Sequence, residues 1–181
     1  VKATTSPILI LLFVGALAGT WLVSGIIPAM IYYGLQIFHP LFFLPACVII
    51  CAIISISTGS SWTTSATIGI AMIGIGKAME INSGIVAGAI ISGGYFGDKL
   101  SPLSDTTNLA AAIANSNLFN HIRYMTLTTV PSIIIGLLFF ILIGFFQVTT
   151  EDINNRFLVN SIEEKFFINP VLFIVPIAVS Y

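Results

Sequence analysis

The amino-acid sequence predicts an all-α fold: a polytopic transmembrane helical bundle with two discontinuous helices. Three observations lead there. Of 181 residues, 57% are hydrophobic and only 7% are charged, whereas a soluble domain carries roughly 25% charged residues. So few charges cannot solvate a water-facing surface, and the surrounding solvent must be mostly lipid. Next, the apolar stretches approach the ~20 residues that a membrane-spanning helix needs. Finally, polar clusters interrupt these stretches near residues 57–67 and 97–108.

The first apolar stretch covers residues 7–38 without a charge. It is too long for one ordinary span, and Gly15, Gly19, Ser24, Gly25 and Pro28 weaken a helix through its middle. Two arrangements fit, one long kinked helix or two shorter pieces meeting in the membrane, and the broken version is favoured. His39-Pro40 marks a turn, because a proline restricts the residue before it. A second apolar stretch, 41–57, runs into the polar sequence STGSSWTTSAT at 57–67 and is apolar again through Ile75. It reads as one span interrupted at mid-depth between half-length pieces. Residues 77–83 form a short polar loop. The small apolar piece 84–95 leads into FGDKLSPLSDTTN at 96–108, and a second half-helix follows at 109–114. Residues 115–123 read as a loop, and 124–146 as the cleanest span, with Pro131 near its start.

Glu151, Asp152, Arg156, Glu163, Glu164 and Lys165 make residues 147–169 a solvated connector. The expected division is a transmembrane region of about four spans at 1–146, this connector, and the start of a truncated further transmembrane helix at 170–181. A chain that begins without methionine and stops inside an apolar run is expected to be a fragment. Loops carry one or two Lys or Arg at most, too few to assign an orientation. A net charge of -1 and the absence of a basic cluster exclude a nucleic-acid partner.

The two breaks are where chemistry is expected. Unsatisfied backbone groups cost several kcal/mol each in hydrocarbon, so irregular backbone survives at membrane depth only when buried in protein or lining a wet cavity. Paired interrupted helices build ion sites in many secondary transporters. The second break carries Asp98, Lys99 and Asp105, and a charge within a membrane helix costs at least ~2.5 kcal/mol on insertion scales. Around Asp105 stand Ser101, Ser104, Thr106, Thr107 and Asn108, with the carbonyls released by Pro102; the first break offers Ser60, Ser61 and Thr63. This oxygen-only set suits a hard cation. One or two carboxylates among neutral oxygens suit a monovalent ion rather than calcium, with Asp105 and Asn108 as candidate Na+ ligands. A lone carboxylate can hold a cation or a proton, hardly both, and that exclusion is the chemistry of exchange. No cofactor is expected beyond Na+ and H+ as transported ions.

Plainer roles stand beside these. Ser104-Asp105 can cap a helix beginning at Thr106, Asp98-Lys99 can be an interfacial pair, and the Ser/Thr run can join helices. Gly84/Gly88 and Gly93/Gly97 read as close helix packing. Cys47 and Cys51 read as small apolar residues. Trp21 and Trp62 have the character of interface anchors, although Trp62 within a polar break can also close a cavity. His39 and His121 sit in loop-like, interfacial settings. Enzyme readings fit poorly: Asp98 and Asp105 flank one proline rather than sitting on two spans, and Gly59-Ser60-Ser61-Trp62-Thr63 is no G-x-S-x-G elbow.

The motifs TGSSWT (58–63), IGIAMIGIG (68–76) and GAIISGGYFGDKLSPLSDTTNLA (88–110) resemble the NhaC-type Na+/H+ antiporters, as do Gly19-Thr20-Trp21, Ser24-Gly25-Ile26-Ile27-Pro28 and Tyr32-Tyr33-Gly34. The resemblance covers about residues 8–146. It implies a multi-pass exchanger of a prokaryotic inner (plasma) membrane that moves Na+ against H+ by alternating access, built as an inverted-repeat transporter with further helices on both sides of this fragment. It implies Asp98, Asp105, Thr107 and Asn108 in or near the ion site. Its partners would be the lipid bilayer, the remaining helices and small ions, with a homodimer left open. An organic-acid exchanger of the malate/lactate type on the same scaffold is the alternative. Thr63-Thr64-Ser65 departs from the family pattern, where many relatives carry a glycine, and bears on cavity packing and selectivity.

Overall fold

The computed structural model describes residues 2–147, 166 and 168–175, and among these every regular element is helical. Helices α1 (Lys2–Val23) and α2 (Ile26–Ile37) meet at a 72° bend. Gly25 takes φ +85 there, a left-handed conformation that a Cβ would oppose. The first apolar stretch is therefore broken, as its glycines predicted. The bend tucks Trp21 against Ile26, Ile27, Met30 and Ala71, so it is a core residue rather than an interface anchor.

Helix α3 (Pro40–Thr58) opens with proline in its first turn, where the missing amide is not needed. His39 caps it, its Nδ1 accepting from the Leu41 amide at 3.3 Å. With 19 residues and a mean hydropathy of 2.5, α3 is long and apolar enough to cross a membrane by itself. Next, α4 (Ser61–Thr64), a π-helical turn (Ser65–Gly69) and α5 (Ile70–Ala78) form one continuous run. Then come α6 (Ser83–Leu100), α7 (Asp105–Ile113) and α8 (Leu118–Gln147), the last again of membrane-crossing length and apolarity. A 3-10 turn covers Pro170–Phe173. The charges of the expected connector, Glu151 to Lys165, and residues 176–181 lie outside the described residues.

Facing pairs give the helix directions. Gly93 and Gly97 abut Val48 and Ala52, so α6 runs the same way as α3. Gly94, Ile90 and Val86 face Ser61, Gly69 and Gly76 in turn, so the run 61–78 goes the opposite way. The chain therefore reverses at Gly59-Ser60. The first break thus lies at a helical hairpin turn between two long runs. Gly59 permits the reversal, at φ +70, with its amide closing on Ser55 O at 2.8 Å.

The second break is narrower than its polar residues suggested. Helix α6 continues through Asp98 and Lys99 to Leu100, α7 starts at Asp105 rather than 109, and α8 starts at Leu118, taking in residues expected as a loop. The ends are set by backbone chemistry rather than by polarity. Pro102 pushes Ser101 to φ -81, ψ 130, out of the helical region, and the Ser104 hydroxyl caps α7 by accepting from Thr107 N.

The core gathers Phe43, Leu44, Cys47, Val48 and Cys51 of α3 with Met72 and Ile75 of α5 and Val86, Ala89 and Ile90 of α6. Cys47 and Cys51 are free and fully buried, as small apolar residues would be. Lipid tails are as apolar as leucine, so helices associate through close packing and interhelical hydrogen bonds. Gly93 and Gly97 supply the first, meeting the α3 backbone so closely that a Cβ would collide with it. Ser55 supplies the second, its buried hydroxyl donating to Gly94 O at 2.6 Å.

Candidate ion-binding cleft

Because α3 and α6 are parallel neighbours, their C-terminal ends come together, and so do the two breaks. Gly59 lies directly on Leu103: a Cβ there would stand 2.6–2.8 Å from Leu103 atoms. Beside this contact opens a cleft of about 170 Å³. The hairpin turn contributes Gly59, Ser60, Ser61 and Trp62; α6 contributes Tyr95 and Asp98; α7 contributes Asp105 and Thr106. Asp98 is 8% exposed, and its Oδ2 accepts from the Thr106 hydroxyl at 3.3 Å. Asp105, the first residue of α7, is exposed. Lys99 is exposed and does not line the cleft, so the lining holds two carboxylates and no base.

The Na+/H+ antiporter family model matches residues 93–181. Over 178 residues the chain is 42% identical to the Na+/H+ antiporter NhaC of Alkalihalophilus pseudofirmus, an overlap that takes in 98% of this chain and 38% of that protein. The chain belongs to the Na+/H+ antiporter family. It is also 51% identical over 138 residues to the malate-2H+/Na+-lactate antiporter of Bacillus subtilis (76% of this chain, 30% of that one). Against the arginine/ornithine antiporter ArcD of Halobacterium salinarum it is 39% identical over 137 residues (76% and 28%). The chain thus spans less than two fifths of the length of these relatives. No solved structure matches it.

The residues predicted for the site fall into two groups. Ser60, Ser61, Asp98, Asp105 and Thr106 line the cleft. Thr63, Ser101, Ser104, Thr107 and Asn108 stand outside the lining, and their polar groups hold the broken backbone together. Ser60 Oγ accepts from the Thr63 amide at 3.2 Å and its hydroxyl at 3.1 Å. The Thr107 hydroxyl reaches Asp98 O and Lys99 O, at 3.3 Å each, where α6 ends, and Asp98 O also accepts from the Ser101 amide at 3.4 Å. Ser104 Oγ sits 2.9 Å from Thr106 Oγ1 and accepts from Thr107 N at 3.4 Å. Asn108 Nδ2 donates to Pro102 O and Ser104 O at 2.8 Å each. In the first break Thr64 and Thr67 turn their hydroxyls onto Ser60 O and Thr63 O of their own helix, rather than joining neighbouring helices.

Two lining residues were not singled out from sequence, Gly59 and Tyr95. Tyr95 precedes Asp98 by three residues, one helical turn, so the two share a face. That signal becomes visible once α6 is carried through to Leu100. Trp62 lines the cleft and is 64% exposed, the place its position in a polar break suggested.

Proposed function

We propose that this chain supplies the cation-binding cleft of a secondary active transporter that exchanges Na+ for H+ across a prokaryotic plasma membrane. One observation carries the reading: two breaks far apart in sequence meet, and bring Asp98 and Asp105 together with the Ser60, Ser61 and Thr106 hydroxyls in one cleft. Oxygen donors of this kind suit a hard monovalent cation. A cation and protons compete for the same carboxylates, so the cleft carries one or the other, and alternating access moves whichever is bound. The family membership and the membrane-length helices support this reading.

The test is proton movement in vesicles containing the full-length transporter, read with a pH-sensitive dye when Na+ is added. Asp98→Asn and Asp105→Asn keep shape and remove titration. The expected result is Na+-driven dequenching in the wild type and a loss of at least ~10-fold in each variant, the order of effect of a charged hydrogen-bonding partner. Full exchange in both variants would remove the cleft from the mechanism.

A second reading, exchange of organic acids, is motivated by the relative named for malate and lactate. An organic acid in this cleft would face Asp98 and Asp105, with Lys99 outside the lining, and like charges repel. The same vesicles can be given malate and lactate gradients. Acid-driven flux that survives Asp98→Asn and Asp105→Asn would put the acid site elsewhere in the protein.

A further inference from the structure

We propose that Ser101 is a positioning residue: it registers the two breaks against each other and so sets the cation affinity of the cleft. The proposal rests on reading that cleft as the cation site. It begins with a carbonyl. In an unbroken helix Ile56 O would accept from the amide four residues on, that of Ser60. The hairpin turn prevents this, and Ser60 N turns instead to Thr58 Oγ1 at 3.4 Å. The missing donor comes from the other break, where the Ser101 hydroxyl donates to Ile56 O at 2.7 Å. The same oxygen accepts from Leu103 N at 3.2 Å, and Leu103 is the residue on which Gly59 rests. One fully buried hydroxyl therefore uses both its donor and its acceptor to tie the end of α3 to the loop that leads into α7.

The position is not accidental in the packing. Gly93, Gly97 and Ser101 follow one another at four-residue spacing, and they meet Val48 O, Ala52 O and Ile56 O of α3, also four apart. The two glycines bring the helices together, and at the third step, where α6 has ended, a hydroxyl replaces close contact with a directed bond. Ser60 and Ser61 follow the α3 end, and Asp105 and Thr106 follow the Ser101 loop, so a shift between the two moves opposite walls of the cleft. Ser101 itself does not line the cleft.

The experiment uses the full-length transporter in vesicles, with Na+ titrated in the pH-dye assay for Ser101→Ala, Ser101→Cys, Gly59→Ala and the Ser101→Ala/Gly59→Ala pair. The Ser101→Ala variant is expected to raise the half-saturating Na+ concentration about tenfold, with the maximal rate within about twofold. The Ser101→Cys variant, which keeps a weak donor, is expected between wild type and Ser101→Ala, and it carries the test if the alanine variant fails to reach the membrane. Because Ser101 and Gly59 act on one contact, the pair is expected to be less than multiplicative. A fall in maximal rate with unchanged half-saturation, or independent effects in the pair, would overturn the proposal. Asp98→Asn and Asp105→Asn run alongside separate the two ideas. Exchange surviving both overturns the cleft itself. Loss in both, with Na+ affinity untouched by Ser101→Ala, overturns only the role of Ser101.

Discussion

Gly97→Ala should drive α3 and α6 apart, while Gly88→Ala in the same helix should be tolerated. A Cβ on Gly97 would stand 2.6 Å from Ser55 Cβ and 2.8 Å from Ile56 N, and closer still to Ala52 O. The first of these is about 0.8 Å inside the distance where ordinary contact begins. Two of the three opposing atoms belong to backbone, which cannot rotate away, so the helices themselves must separate by a good fraction of an ångström. Overpacking of this kind costs about 1–3 kcal/mol. The separation falls next to Asp98 and opposite the α3 end that precedes Ser60, so the cleft widens too. At Gly88 the nearest atom is Phe140 Cζ at 4.0 Å, and a helical Gly→Ala change there gains up to about 1 kcal/mol of backbone preference. Thermal unfolding of the purified full-length transporter, followed by loss of native monodispersity, should show the Gly97→Ala transition several degrees below wild type and the Gly88→Ala transition at or above it. Na+ half-saturation should rise only for Gly97→Ala. Equal transitions for the two variants would refute the close α3–α6 contact on which the convergence of the breaks depends.

Further outcomes follow from individual contacts. Ser60→Ala removes the cap of the run that starts at Ser61, a loss of about 1 kcal/mol, together with one cleft oxygen; a Na+ titration should show weaker half-saturation, and a thermal scan a modest destabilisation. Asn108→Asp places a carboxylate where Pro102 O and Ser104 O each receive a donor. It should destabilise the second break by about 1–2 kcal/mol, seen as a lowered unfolding transition even before Na+ is added.

Much of this was legible in the sequence. Low charge pointed to lipid as solvent, and apolar runs near the ~20 residues of a spanning helix pointed to helices, whose backbone satisfies itself in hydrocarbon. Gly25 and Pro102 marked breaks through their own dihedral limits, and the two polar clusters marked where hydroxyls and carboxylates gather. These are local properties, carried by single residues or short windows.

Only the tertiary structure decided what the polar residues do. Thr106 and Thr107 are neighbours of the same type, yet Thr106 faces the cleft beside Asp98 while Thr107 caps the end of α6. Asn108 binds backbone carbonyls, and Ser101 answers a carbonyl 45 residues away. Likewise the reversal at Gly59 shows only once α3 and α6 are seen to be parallel. The physical reason is that a hydroxyl or amide serves a bound ion and a broken helix end equally well. Composition therefore reveals that such groups are needed, and the packing of one helix on another determines which of them is left facing the cleft.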